Sequence, residues 1–348
     1  MVRVGIAGVG FMGWIHYLAY QHATGAKLTA FCSRSEKKRA GDWRDIQGNF
    51  GPPGEQIDVS DLTAHASYEA LLQDPDIDLV DICLPPDQHA DATIAALQAG
   101  KHVLVEKPMA LTTDQCEQMV NVAQEAGKQV FVAHVLPFFP EYAHARSVIA
   151  DGQYGQLIGG NFKRVISDPL WLEDFYDPQR VGGPLVDLHV HDAHLIRMLF
   201  GMPSAVTSTG RMRGEVVEYC DTLFHFDDNP TLVVRATGGV INQQGRPFTH
   251  GFEIHLERAS LHYELAAFAD EVEVMPLKIL TDDGEVVRPE LAAGGEIPAF
   301  TAEIDEVVGA LEQNEPSEIL AGELARDAIR LCHRQTESVK SNTRVRVD

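Results

Sequence analysis

Residues Gly8-Val9-Gly10-Phe11-Met12-Gly13 join the apolar run Val2–Ala7 to a helical pattern that begins at Met12. The G-x-G-x-x-G spacing, set between a strand and a helix, is typical of dinucleotide-binding folds. The first glycine permits a tight turn, the second leaves room for a pyrophosphate, and the third lets the helix pack on the strand. Amides at the helix start then face the phosphates. We therefore predict that Gly8, Gly10, Phe11, Met12 and Gly13 bind a dinucleotide.

The first third of the chain alternates short apolar runs with helical patterns. The sequence predicts strands at 2–7, 27–33, 79–84, 101–105 and 129–133, and helices at 12–23, 68–73, 89–99 and 113–126. Near-continuous apolar strands separated by helices indicate a parallel sheet that is covered on both faces. Residues 41–54, rich in glycine and proline, are interpreted as an irregular surface insertion.

After about residue 135 the runs lengthen and alternate in polarity. Strands are predicted at 157–165, 205–212, 222–226, 231–237, 251–257, 261–264 and 271–274, with closing helices at 299–312 and 317–338. Alternation of this kind is typical of an antiparallel sheet with one free face. The sequence thus predicts an α/β protein, with a Rossmann domain at 1–134 and an α+β domain with a large, mostly antiparallel open sheet at 135–348.

The composition narrows the range of partners and compartments. The 348 residues include 51 acidic and 28 basic side chains, which give a formal charge of −23. Such a surface repels phosphate backbones and anionic lipids, so nucleic acid and membranes are poor partners. The N-terminal residues read as a strand rather than a secretion signal. Five scattered cysteines without a C-x-x-C motif favour reduced thiols and a cytoplasmic location.

The end of the second predicted strand, Cys32-Ser33-Arg34-Ser35, carries no acidic residue. An acid there would bind the ribose 2′-hydroxyl of NAD. A hydroxyl followed by a guanidinium suits a 2′-phosphate instead. We therefore expect Ser33 and Arg34, with Lys38 nearby, to favour NADP, with NAD as the alternative.

Glu106-Lys107-Pro108 follows a buried strand. Ligands of open parallel sheets bind beyond the carboxyl ends of the strands, so Lys107 stands where a substrate oxygen can meet it. Partial burial would lower its pKa and make it an acid–base group. Pro108 restricts the preceding residue and is a candidate for a cis bond. On position alone, an ordinary surface lysine is an equal alternative.

A second polar group lies on an otherwise apolar helix predicted at 184–200. At 3.6 residues per turn, Asp187, His191 and His194 share an arc of about 60°, whereas His189 lies opposite. Three interpretations stay open: a proton-transfer histidine oriented by Asp187, a divalent metal site formed by the three residues, or a structural hydrogen-bond cluster.

Taken in order, these motifs resemble the Gfo/Idh/MocA oxidoreductase family. The resemblance implies nicotinamide-dependent oxidation or reduction of a secondary alcohol or ketone in a sugar, cyclitol or related polyol. It assigns catalytic roles to Lys107, Asp187 and His191. It also implies that Leu84, Pro85 and His89 lie near the nicotinamide ribose, and that Glu106 and Lys107 contact the nicotinamide.

Departures from the family pattern bear on the substrate. Pro137 stands where the family often has Arg or Asn, and His189 and His194 stand where it often has Gly and Asp. The expected substrate contacts are His134, Lys163, Trp171 and His194. The resemblance further implies a homo-dimer or homo-tetramer.

Catalysis by such a set requires a base at the substrate hydroxyl. We expect His191 to take that proton and Lys107 to hold the same oxygen, although the reverse assignment stays open. The two side chains are predicted to converge on one atom. The rival functions are a hydrolase or lyase on the same fold that retains its cofactor, a metal-dependent enzyme using Asp187, His191 and His194, and a nicotinamide sensor without catalysis.

Overall fold

The computed structural model describes residues 1–292 and 294–347. The chain forms two compact units. Unit 1 contains Met1–Phe139 and Gly294–Arg326, and unit 2 contains Pro140–Ala293 and Asp327–Asp348. The predicted division into 1–134 and 135–348 therefore differs from the structure, because the segment 294–326 returns to the first unit.

Unit 1 is built on a parallel sheet of six strands in the order β3-β2-β1-β4-β5-β6. This is the strand order of a Rossmann fold. The strands are β1 (Val2–Ala7), β2 (Ala26–Cys32), β3 (Thr63–His65), β4 (Leu79–Ile82), β5 (His102–Glu106) and β6 (Val130–Ala133). The helices are α1 (Phe11–Tyr20), α2 (Glu36–Arg39), α3 (Tyr68–Leu72), α4 (His89–Gln98) and α5 (Thr113–Ala126).

A further helix, α8 (Glu296–Gln313), belongs to unit 1 because of its apolar stripe. Phe300, Ile304 and Val308 recur every four residues along one helix face and are buried. They join the same core as Trp14 and Ile15 of α1. The helical period identifies the apolar face, but it does not say which core that face enters.

The segment 41–54 is irregular and mostly exposed, as predicted, but Trp43 and Ile46 enter the core of unit 1. Trp43 is fully buried, and Ile46 is nearly so. The Trp43 ring contacts Trp14, Tyr17 and Phe31 edge-on, with centroids 5.1–6.0 Å apart. Aromatic burial of this kind anchors the segment to the core, whereas Gly51, Pro52 and Pro53 stay exposed.

Unit 2 contains a nine-stranded sheet in the order β14-β13-β12-β11-β7-β10-β9-β8-β15. β7 and β10 pair in parallel, and the neighbours on either side pair antiparallel. The strands are β7 (Leu157–Ser167), β8 (Ala205–Arg213), β9 (Val216–His225), β10 (Val233–Ile241), β11 (Phe248–Leu256), β12 (Ala259–Ala267), β13 (Val272–Thr281), β14 (Val286–Val287) and β15 (Val345–Arg346). The mostly antiparallel second sheet confirms the predicted fold class.

The helices of unit 2 are α6 (Pro140–Asp151), α7 (Val190–Phe200) and the greater part of α9 (Gly322–Ser341). The sequence did not predict α6. Strand β7 shows how the sheet divides its faces, because successive side chains point to opposite sides. Phe162 and Arg164 are buried, whereas Asn161 is exposed and Lys163 half-buried on the other face. Across the described parts of both units, no helix has the length and apolar character needed to cross a bilayer.

Candidate functional site

The glycine turn has the geometry that a dinucleotide needs. Gly8 has φ +106°, and a Cβ there would lie 2.6 Å from the carbonyl oxygen of Cys83. A Cβ on Gly13 would collide with the carbonyl oxygen of Gly8. A Cβ on Gly10, in contrast, would meet no described atom within 4 Å. Two glycines therefore shape the turn, and the third keeps its outer side open, so these residues fit a pyrophosphate.

At the end of β2, the basic residues have different partners. Ser33 is half-buried and Arg34 is exposed. The Lys38 ammonium donates to the carbonyl of Val9, at 2.7 Å, and thus ties α2 to the glycine turn. Arg39, which the sequence reasoning did not include, donates to the Ser33 carbonyl at 2.8 Å. The Lys38 side chain therefore supports the glycine turn by binding the turn's backbone at Val9.

The segments that follow β4 and β5 are joined by His89. Its Nδ1 lies 2.7 Å from the Pro108 carbonyl oxygen, and its Nε2 lies 2.7 Å from the Leu84 carbonyl oxygen. Burial lowers the pKa of His89. This buried ring therefore links the Leu84–Pro85 segment to the Glu106–Pro108 segment. The peptide bond Lys107–Pro108 is cis, as the sequence indicated.

Glu106 ends β5 and is 5% exposed. Its Oε2 accepts the backbone N–H of Lys107 at 3.0 Å, and its Oε1 lies 3.0 Å from Nε2 of His16. His134 follows β6 and is also buried. Since the carboxyl ends of parallel strands meet at one edge, unit 1 brings the glycine turn, Leu84–Pro85, Glu106–Lys107 and His134 to the same edge of its sheet.

Asp187 and His191 lie in unit 2, at the start of a helix that differs from the prediction. Residues Leu185–His189 form a π-helical turn, and α7 continues from Val190. The predicted arc assumed 3.6 residues per turn throughout, whereas this first turn is π-helical. π-Helical turns are frequent at functional sites.

The turn packs closely on the sheet at His189. A Cβ on Gly238 of β10 would lie 2.5 Å from Nδ1 of His189, so glycine is required there. Gln335 Nε2 donates to His189 Nε2 and to Thr222 Oγ1, each at 3.0 Å. His189 is fully buried, and this burial lowers its pKa. Asp187 and His191, in contrast, are both half-buried.

The predicted substrate and metal residues of unit 2 separate into different environments. His194 is 1% exposed, whereas Trp171 is 69% exposed. Lys163 binds Glu264 at 3.2 Å on the open face of the sheet, opposite to Arg164, which reaches α7. The structure therefore does not bring Lys163 to the helix of His191.

One group of His, Cys, Asp and Glu residues among those described has ligand atoms within 4.8 Å of one another, namely His16, Asp81 and Cys83. Among the described residues, Asp187, His191 and His194 do not form such a group. Sequence reasoning missed the group in unit 1. A charged residue within the apolar strand β4 was the available signal, because an unpartnered buried charge is costly.

The loop that carries Trp171 is anchored by a polar triad. Asp168 accepts from Tyr176 Oη at 2.9 Å and from Arg213 Nη1 at 2.6 Å. The Arg213 guanidinium also lies 3.8 Å from the centre of the Tyr176 ring. Hydrogen bonds and a cation–π contact thus fix the two sides of an otherwise exposed loop.

The fold and the glycine turn define unit 1 as an NAD-binding Rossmann domain. Two family profiles match the chain: "Oxidoreductase family, NAD-binding Rossmann fold" at residues 2–134 and "GFO/IDH/MocA C-terminal domain" at residues 142–262. The chain belongs to the Gfo/Idh/MocA oxidoreductase family.

Curated relatives match over parts of their length. The chain is 33% identical to a 1,5-anhydro-D-fructose reductase of Ensifer adhaerens over 206 residues, which are 56% of this chain and 59% of that protein. It is 31% identical to glycosyl hydrolase family 109 protein 1 of Shewanella sp. (strain MR-4) over 160 residues, 46% of this chain and 34% of that protein. The matches thus span less than two thirds of these relatives.

The fold is shared over the whole chain with solved structures. A levoglucosan dehydrogenase in complex with NADH and levoglucosan superposes with a TM-score of 0.78, at 22% identity, over 99% of each chain. At this identity the likeness establishes the fold alone.

Proposed function

We propose that the protein is an NAD(P)-dependent oxidoreductase acting on a secondary alcohol or ketone of a sugar, cyclitol or related polyol. The observation that carries the proposal is the open glycine turn beside Glu106 and Lys107, at one edge of the unit 1 sheet. Family membership supports the reaction class, and the reductase relative supports a sugar-like substrate.

The acid–base chemistry is assigned to Lys107, Asp187 and His191. When bound, a nicotinamide would accept the hydride that the alcohol carbon loses, while the alcohol oxygen would lose a proton and become a carbonyl oxygen. His191 takes the hydroxyl proton, and Lys107 stabilises the negative charge that develops on the oxygen. Asp187 orients the site or binds a neighbouring hydroxyl. The assignment in which Lys107 is the base stays open.

We infer a preference for NADP over NAD. The exposed guanidinium of Arg34 and the hydroxyl of Ser33 follow β2, where NAD-specific folds place a carboxylate. The half-buried Lys38 adds positive charge beside the turn while its ammonium donates to Val9. His134, Trp171 and His194 are proposed substrate contacts.

Two further inferences concern the setting of the enzyme. The five cysteines are free thiols, which supports a reducing compartment such as the cytoplasm. The open face of the unit 2 sheet exposes Leu223 and Val233 among polar side chains, which supports a homo-dimer or homo-tetramer.

A second candidate is a hydrolase that retains its cofactor and oxidises its substrate only transiently. The identity to a glycosyl hydrolase family 109 protein favours keeping this alternative. This hydrolase would differ from the oxidoreductase in its products, since a glycosidic bond would break with no net oxidation or reduction of the nicotinamide.

The deciding experiment is a substrate screen with both NAD and NADP. Sugars, inositols, lactones and keto-sugars are each incubated with the purified protein, and the absorbance of the reduced nicotinamide is followed. We expect substrate-dependent turnover that falls by about 100-fold or more in Lys107→Ala and in His191→Ala, while cofactor binding persists. Full turnover in both variants would contradict the assignment, and glycoside cleavage without net absorbance change would favour the hydrolase.

A further inference from the structure

Below the glycine turn, unit 1 contains a buried polar group that we call the His16 cluster. Its members come from four elements and the segment after β4, and they are His16, Tyr20, Asp81, Cys83, Glu106 and Glu303. His16, Asp81 and Glu303 are 0% exposed. Burying so many ionisable groups is costly because they lose their hydration. Apolar residues of similar size would often stabilise the fold at least as well. The cluster therefore calls for an explanation beyond stability.

The hydrogen bonds form a continuous path to the Lys107 backbone. His16 Nδ1 lies 2.8 Å from Asp81 Oδ2, and His16 Nε2 lies 3.0 Å from Glu106 Oε1. The other Glu106 oxygen accepts the Lys107 N–H at 3.0 Å. Both Glu106 oxygens thus have a partner, so the orientation of this carboxylate depends on His16 on one side and on Lys107 on the other.

We propose that His16 is a positioning residue for the proposed reaction: by bridging Asp81 and Glu106, it fixes the Glu106 carboxylate and, through it, the backbone from which the Lys107 side chain extends. This inference rests on the proposed function. Small displacements of a catalytic group are costly, so a fixed backbone at Lys107 supports turnover more than substrate binding.

The geometry defines the protonation state of His16. Each ring nitrogen faces a carboxylate oxygen, and an ionised carboxylate can only accept. A neutral imidazole would leave one nitrogen lone pair against a carboxylate, so the imidazolium satisfies both contacts. Burial opposes this charge, but the hydrogen-bonded Asp81 carboxylate favours it, and the pKa of His16 lies well above its usual range.

The remaining members of the cluster are compatible with a charged His16. Tyr20 Oη donates to Asp81 Oδ2 at 3.0 Å. Glu303 of α8 is fully buried, and burial raises its pKa well above the usual range, which favours the neutral acid. Burial likewise raises the pKa of Cys83, which is a thiol. The charged members are then one imidazolium and two carboxylates.

A metal ion held by His16, Asp81 and Cys83 is the rival interpretation. The 2.8 Å separation of His16 Nδ1 and Asp81 Oδ2 is that of a hydrogen bond. The geometry therefore favours the proton-bridged arrangement, and metal binding is one outcome that the test can show.

The test has a spectroscopic part that needs no turnover. In protein labelled with ¹⁵N-histidine, the signals that disappear in His16→Leu identify the His16 ring. We expect these signals to show two protonated ring nitrogens at pH 7.5. A neutral His16 at that pH overturns the proposal, and so does stoichiometric zinc retained by the wild type but not by Cys83→Ser. Because this part uses no substrate, it distinguishes failure of the inference from failure of the proposed function.

The kinetic part separates positioning from folding. In His16→Leu we expect kcat to fall by about tenfold or more, with KM and the cofactor Kd changed less than about threefold. His16→Gln, whose amide can still donate to Glu106, should recover part of kcat. His22→Gln, at an exposed histidine just beyond α1, is the matched control and should match the wild type. Unchanged kcat in His16→Leu, or a loss that follows only the folded fraction, overturns the proposal.

Discussion

Arg164 and Asp192 form a buried ion pair that joins the unit 2 sheet to the helix carrying His191. Arg164 Nε lies 2.8 Å from Asp192 Oδ2, and Nη2 lies 3.3 Å from Oδ1. The two residues are 4% and 1% exposed, respectively. Since Asp192 directly follows His191, this pair ties the His191 end of α7 to β7.

Asp192→Asn should destabilise unit 2 by about 3–5 kcal/mol, because it leaves the Arg164 guanidinium buried without a counter-charge. Urea denaturation followed by circular dichroism measures the change. Glu337→Gln removes the exposed partner of Arg334, a contact of 2.8 Å, and should cost less than about 1 kcal/mol. Equal losses in the two variants would show that burial does not govern the strength of the Arg164 pair.

The parts of the fold that were predictable from sequence are those determined by local chemistry. The sequence predicts a helix at 113–126, and the structure agrees to the residue because Thr112 and Gln115 form a capping box and Gly127 ends the helix with φ +61°. The glycine turn was predictable for the same reason, since its spacing specifies backbone conformations that few other residues adopt.

The parts that were not predictable depend on tertiary contacts. The apolar period of α8 does not reveal that Phe300 joins the core of Trp14 rather than a second core. The π-helical turn at Leu185–His189 changes the angular relation of Asp187 to His191, which arithmetic at 3.6 residues per turn cannot anticipate. His16 was overlooked because a lone histidine on an apolar helix gives no indication of the carboxylates that it will meet.

Gly10→Ala separates cofactor binding from folding. The added Cβ would meet no described atom within 4 Å, and Gly10 has φ −113°, which alanine adopts freely. The free energy of unfolding should therefore change by less than about 0.5 kcal/mol. The Kd for the dinucleotide should rise by about tenfold or more, because the methyl group would occupy the space in which the pyrophosphate approaches the backbone.

Fluorescence titration with NADPH and denaturation of the same samples measure the two effects of Gly10→Ala. Gly13→Ala is the contrasting variant, since its Cβ would collide with the Gly8 carbonyl and should lower stability as well as binding. Unaltered NADPH affinity in a well-folded Gly10→Ala protein would refute the dinucleotide site.

Arg34→Gln tests cofactor choice. If the guanidinium binds the 2′-phosphate, removal of its charge should raise the Kd for NADPH by about tenfold and leave that for NADH nearly unchanged. Isothermal titration with both nucleotides measures the ratio. Lys37→Gln is the matched control, because it removes the same charge from a side chain that lies 3.7 Å from Asp42. A parallel loss of NADH affinity in Arg34→Gln would indicate general attraction rather than recognition of the 2′ position.

His250 should make unit 2 sensitive to acid. Burial, with a smaller contribution from the Arg164 charge, lowers the pKa of His250 to about 3, and its Nδ1 lies 2.8 Å from the Tyr142 hydroxyl. The unfolded chain binds a proton near pH 6.5, whereas the folded protein does not. The stabilisation is therefore complete above pH 6.5 and is lost as the pH falls toward 3, by about 1.4 kcal/mol per pH unit.

His250→Gln removes this proton uptake, so the free energy of unfolding, measured by urea denaturation between pH 7 and 5, should depend less steeply on pH than in the wild type. His262→Gln alters a half-exposed histidine on β12 and should keep the wild-type slope. Identical slopes for His250→Gln and the wild type would mean that His250 is already protonated in the folded protein, and that the Tyr142 hydroxyl accepts rather than donates.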